Sequence, residues 1–224
     1  MNKFSAIAFL FLILFSCKKV EKTSINLELK KELSEIEFRD QALRFITDQT
    51  PNDSLDLIAK RIKVDPTYFK NNYKSVSVSL DGENIKRVEE IIAKYGYPGK
   101  ALVGTPENRA AWIVIQHSSP QVIQKYLPML REAVKNGDLD RQSLALTEDR
   151  NLMYQGKKQI YGSQFFEANG KPAFWPIENS EKVNELRKEA GFVQTIEEYS
   201  KDLYGKDFQY KIYTLEEVKK LQAQ

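Results

Sequence analysis

The 224-residue chain carries 34 lysines and arginines against 31 aspartates and glutamates, a formal net charge of +3 at pH 7. The signs are interspersed, which describes a solvated surface and excludes the clustered basic face that a nucleic-acid partner requires. With a single cysteine and a single histidine, an internal disulfide and a histidine-pair metal site are both excluded, and no cofactor is expected.

The first residues give an address. Met1 to Lys3 supplies a short positive start, and Phe4 to Phe15 is an apolar or small-residue run. About a dozen residues is too short for a membrane-spanning helix, which needs roughly 20, but suits a secretory signal. The closing Leu14-Phe15-Ser16-Cys17 resembles the bacterial lipobox. That resemblance implies diacylglyceryl transfer to the Cys17 sulfur, cleavage after Ser16 and acylation of the new amino terminus. Two or three acyl chains form a stable anchor where one is marginal. Residues 1–16 are then the signal peptide, residues 17–26 a tether, and the membrane a partner through lipid on Cys17. Lys18 and Lys19 leave no acidic residue beside the cysteine, which implies a cell-envelope location at the outer membrane of a two-membrane bacterium.

Helix signals follow in order. Leu27, Leu29, Leu33, Ile36 and Leu43 have helical spacing, predicting a helix over 27–48, and a shorter one runs over 53–63. Val76 to Leu80 alternates like a short strand, and Asp81 is placed to cap the next helix, which ends at Tyr95-Gly96. Thr105-Pro106 and Ser119-Pro120 open helices over 106–118 and 120–136, and Gly137 closes the second. A helix from Arg141 to Tyr154 follows. Gln159–Phe166 and Lys171–Ile177, joined through Asn169-Gly170, read as a β-hairpin. Asn179, Thr195 with Glu198, and Thr214 with Glu217 cap three closing helices. The predicted fold is mainly α, a compact helical domain over 76–224 with one hairpin within 159–177, preceded by a helical arm over 27–75.

Two residues stand out chemically. His117 ends the apolar helix Ala110–Ile115, where the helix dipole favours a protonated imidazole, suited to proton transfer or anion binding; a capping or core histidine is the competing reading. Asp149 points between Ala145, Leu146, Leu152 and Met153 on the helical wheel, and an unpaired carboxylate there would cost several kcal/mol. It therefore has a partner, is protonated or lines a cavity. Arg150, His117, Gln164 and the Tyr161 hydroxyl are candidate partners, and tethering the hairpin backbone is the structural alternative. Tyr161-Gly162-Ser163-Gln164 lacks the second glycine of a nucleophile elbow, and Gly99 to Gly104 lacks the spacing of a phosphate-binding loop. Trp112 and Trp175 fit a core better than a ligand platform.

The run from Tyr95 to Gln164 resembles a bacterial domain family of unknown function. The motifs that carry it are Gly96-Tyr97-Pro98, Leu102-Val103-Gly104, Trp112 through Gln116-His117, Asp149-Arg150 and Tyr161-Gly162-Ser163-Gln164. Ser163 stands where threonine is usual, and Tyr97 where tryptophan is frequent. The resemblance implies that the polar residues flagged above belong to a shared kernel and carries no activity; Trp112, Gln116, Arg150, Tyr161 and Gln164 are the ligand-binding candidates. Three functions compete: an envelope lipoprotein that binds a peptide, glycan or small polar ligand or acts as a scaffold, a metal-independent hydrolase or transferase using His117 with Asp149 orienting it, and a purely structural envelope protein.

Overall fold

A computed structural model describes residues 24–47 and 49–222. The signal peptide and lipobox, including Cys17, lie outside the described residues, as does most of the tether. Helix α1, Leu27–Ala42, starts where the Asn26 side chain accepts the Leu29 N–H at 3.0 Å. Leu29, Leu33, Ile36 and Asp40 form its buried face, at steps of four, three and four residues. The helix stops short of residue 48 because the chain turns at Leu43. That side chain enters a second cluster with Ala59, Ile62, Phe69, Val76 and Leu80.

That cluster is built with α2, Asn52–Arg61, and the first half of α3, Pro66–Tyr95. The strand expected over 76–80 is instead helix within α3. Val76 and Leu80 are buried four residues apart while Val78 is 74% exposed. Apolar residues at 76, 78 and 80 mimic a period of two, but only the pair with helical spacing is used for packing. Asp81, expected as a cap, lies mid-helix, and Asn72 (φ −135°, ψ 17°) marks a kink nearer the start. Residues 75 and 76 thus sit within one helix, and α1 contributes to the central core rather than standing apart from it.

The centre is α5, Ala110–Gln116, all seven residues of which are buried. It follows the short helix α4, Lys100–Val103, and a single 3-10 turn, Glu107–Arg109. This approach is pinned by polar contacts: the Tyr97 hydroxyl donates to Asn108 O at 2.8 Å, and Asn108 Nδ2 donates to Asp138 O at 2.6 Å. A Cβ on Gly99 would fall 2.2 Å from the Asp138 carboxyl, which accepts the Lys100 N–H. The Tyr97-Pro98-Gly99 motif is therefore a packing joint. Around α5 lie α1, α3 and α6, Pro120–Lys135, capped by Ser119. Helix α7, Arg141–Tyr154, capped by Asp140, completes this group.

The hairpin pairs β1, Phe165–Ala168, antiparallel with β2, Lys171–Phe174. Asn169 (φ 52°) and Gly170 (φ 73°) both take the left-handed conformation that the Asn-Gly turn requires. Its strands are shorter than expected, because residues 159–164 form a loop held by α7. Three short helices close the chain: α8, Val183–Glu189; α9, Ile196–Tyr204; and α10, Leu215–Gln222. Thr195 and Glu198 form the expected capping box, and Thr214 and Glu217 bond reciprocally. Asn179 instead caps a turn before α8, accepting the Lys182 N–H. Among the described residues no helix is long and apolar enough to cross a membrane. The fold is mainly α with one two-stranded hairpin.

Candidate functional site

Asp149 is fully buried on the inner face of α7. Its Oδ1 accepts the N–H of Ile160 at 2.7 Å and of Tyr161 at 3.0 Å; its Oδ2 accepts the Ser163 N–H at 3.0 Å and the Ser163 hydroxyl at 2.9 Å. Burial pushes this carboxyl above its ordinary range, and the N–H groups of Tyr161, Ile160 and Ser163 pull it back. Every close partner is a donor, so the loop is built around the ionised form. Gly162 permits the wrap: its φ is +65°, and a Cβ there would approach the Ile196 side chain to 2.9 Å. The Tyr-Gly-Ser-Gln motif is thus a carboxylate-binding turn.

The same turn aims Arg150. The Ser163 hydroxyl accepts Gln164 Nε2 at 3.0 Å, which leaves Gln164 Oε1 to accept Arg150 Nε at 3.0 Å. Arg150 Nη1 donates to the Gln116 carbonyl at 2.7 Å, at the C-terminal end of α5. Gln116 Nε2 reaches Leu146 O, while its Oε1 is buried with no donor. Four of the candidates, Gln116, Asp149, Arg150 and Gln164, therefore meet in one network.

His117 faces away from that network. Its Nδ1 lies 2.7 Å from Asp40 Oδ2, not from Asp149, so the pairing of His117 with Asp149 is replaced by His117 with Asp40. Arg44 Nη2 joins Asp40 at 2.9 Å to Asp81 at 2.8 Å, and Gln41 Nε2 also donates to Asp40. Burial alone would raise the Asp40 carboxyl, but His117 and Arg44 outweigh it and hold Asp40 below the ordinary carboxylate range. Asp81 is raised, chiefly by burial and against the attraction of Arg44. Because Asp40 is an ionised acceptor, the histidine proton sits on Nδ1, and a neutral ring presents Nε2 as an acceptor.

The ring, whose side chain is 20% exposed, lines a pocket of about 400 Å³ with Asp40 and Asp81. Val78, Ile85, Val114 and Val122 supply aliphatic walls. Ser118 and Ser119 also border it, but the first donates to Val114 O and the second accepts the Val122 N–H, so both are committed to helix ends. The remaining candidates lie elsewhere. Trp112 is buried between α5 and α7, its indole N–H shared by Ser143 O and Thr147 Oγ1. Tyr161 lines a separate pocket of about 330 Å³ with Arg141, Glu148 and Glu189. Trp175 is core, donating to Lys157 O. Among the described residues no group of three or more His, Cys, Asp and Glu side chains is placed to hold a metal.

A family model described as a family of unknown function, DUF6624, matches residues 58–212. The chain belongs to DUF6624. No curated protein and no solved structure matches it. In this DUF6624 chain the matched stretch contains His117, Asp81 and the whole Asp149 to Arg150 network, whereas Asp40 and Arg44 precede it. Those two were missed in the sequence, although the signal was available. Asp40 falls four residues after Ile36 and three before Leu43, in mid-stripe, just as Asp149 does on α7.

Two outcomes are expected. Asp149→Asn removes one acceptor and sets an NH2 against buried N–H groups, costing about 3 kcal/mol; at roughly 2–4 °C per kcal/mol for a chain of this size, calorimetry should show a melting temperature lower by about 6–12 °C. Asp40 has a folded-state value below its unfolded one, so its stabilisation is present above about pH 4 and is lost as the pH falls through the folded value. The stability gap between the native chain and Asp40→Asn, read by urea unfolding, should therefore be wide at pH 6 and narrow at pH 3. A gap independent of pH would contradict the ion-paired assignment.

Proposed function

We propose that this DUF6624 chain is a lipoprotein of the cell envelope, anchored through lipid on Cys17 and sorted to the outer membrane. Its helical domain binds a small polar ligand or short peptide in the pocket beside His117. The observation that carries the binding reading is the His117–Asp40 contact at 2.7 Å, which fixes the ring at the wall of a largely aliphatic pocket. The ring's Nε2 has no protein partner among the described residues. A few oriented polar atoms on an apolar wall are what a small-ligand site needs: the wall supplies burial and the imidazole supplies orientation.

A second reading has specific support from the same dyad. A histidine oriented by a carboxylate is the arrangement used for general acid–base catalysis. A metal-independent hydrolase or transferase would then use His117 as proton carrier, with Asp40 in the orienting role, and water or a substrate group as nucleophile.

The anchor is tested by Cys17→Ser, which should abolish lipid labelling and membrane retention; unchanged labelling would remove it. The pocket is tested by His117→Gln in protein purified from its own membranes, with bound small molecules identified by mass spectrometry. Glutamine can donate to Asp40 in place of the ring, so the melting temperature should change little, while ligand occupancy falls. Equal occupancy in the two proteins would contradict the binding reading. Loss of a turnover found by substrate screening, in a variant that keeps its fold, would favour the catalytic one.

A further inference from the structure

Two arginine charges near the site are answered by carboxylates. Arg44 is shared by Asp40 and Asp81, and Arg131 is paired with Glu148. Arg187 is sealed differently, donating to the carbonyls of Gln194 and Tyr161 with its guanidinium 4.3 Å from the Phe192 ring centre. Arg150 has neither solution. Both of its contacts are neutral oxygens, Gln164 Oε1 and Gln116 O, and among the described residues no carboxylate pairs with it. Yet it is half-buried, and loss of water works against its charged form.

A guanidinium has five N–H donors, and these two contacts use two. The chain from Asp149 through Ser163 and Gln164 fixes the direction of the fork without neutralising it. A planar cation that is oriented, partly desolvated and unpaired is suited to bidentate capture of an oxyanion. Its position is also informative. The carbonyl that holds Arg150 belongs to the residue before His117, and Arg44 is near enough for its charge to oppose that of Arg150.

We propose that Arg150 is an anion-binding residue for a carboxylate or a phosphate, at a site separate from the pocket beside His117, whose lining does not include Arg150. The anion site at Arg150 does not rest on the pocket reading above.

The test uses the full chain, labelled with 15N, at low ionic strength. Arginine side-chain resonances are followed while inorganic phosphate, tri-alanine or tri-alanine amide is added. The Arg150 Nε resonance should shift saturably with phosphate or with tri-alanine and not with the amide, and the responding arm identifies the oxyanion. Arg150→Lys should weaken that binding by at least about ten-fold, since a lysine keeps the charge but loses the fork. If Arg150→Lys fails to fold, the native spectrum still decides. No saturable shift, an equal shift with the amide, or undiminished affinity in a folded Arg150→Lys would overturn the proposal. His117→Gln separates the two readings. Anion binding that persists there with pocket occupancy unchanged upholds Arg150 and removes the pocket, while loss of pocket occupancy in a chain whose Arg150 resonance never responded does the reverse.

Discussion

Asp149 is the contact on which the rest of the site hangs. A carboxylate taken out of water loses several kcal/mol of hydration, and backbone N–H groups in a buried loop are similarly costly when unpaired. Here each deficit offsets part of the other: Ile160, Tyr161 and Ser163 offer their N–H groups, together with the Ser163 hydroxyl, to one side chain, although burial still leaves the carboxyl raised. A segment with no regular secondary structure thereby acquires a fixed shape. Gln164 is set by Ser163, Arg150 by Gln164, and the end of α5 by Arg150. The positive charge of Arg150 also lies against the carbonyl end of that helix, where the dipole favours it.

Helix α5 leaves two different groups at its C-terminal end. On one side its last carbonyl is held by Arg150; at its cap, His117 turns toward α1 and Asp40. The two buried aspartates are satisfied by opposite means. Asp149 is surrounded by dipoles of the loop it organises, whereas Asp40 is held by the Arg44 guanidinium and the His117 ring, with the Gln41 amide beside them. Dipoles fixed in a loop hold one protonation state, which suits a structural role. Asp40 instead orients a ring at a pocket wall, where a ligand can reach it.

Much of this was legible in the sequence because it rests on local rules. The Asn169-Gly170 turn, the capping residues Ser119 and Thr195, and the inward phase of Asp149 all depend on spacing within one element. The strand expected at 76–80 failed because five residues with apolar positions two apart also satisfy a four-residue helical repeat, and a helix 30 residues long overrides the local pattern. The partner of His117 was hidden for another reason. A helical wheel gives the direction of a side chain but not its neighbour, and Asp40 lies 77 residues away in sequence. Asp149-Arg150 and Gln116-His117 could be read as parts of one kernel, but not that the arginine, rather than the aspartate, reaches toward the α5 end.

The position of α1 bears on what counts as the folding unit. The family match begins at residue 58, after α1 has ended. Yet α5 is apolar on all sides, and a helix of that kind must be covered on all sides. Leu29, Leu33 and Ile36 of α1 provide part of that cover, in the same cluster as Ala110 to Ile115. The pocket shows the same dependence, since Asp40 comes from α1, Arg44 from the turn after it, Asp81 from α3 and His117 from α5. Without α1, the matched region would expose aliphatic surface of its central helix and leave His117 without the carboxylate that orients it. The core and the ion-paired pocket of this chain are therefore one construction, with α1 an integral part of both.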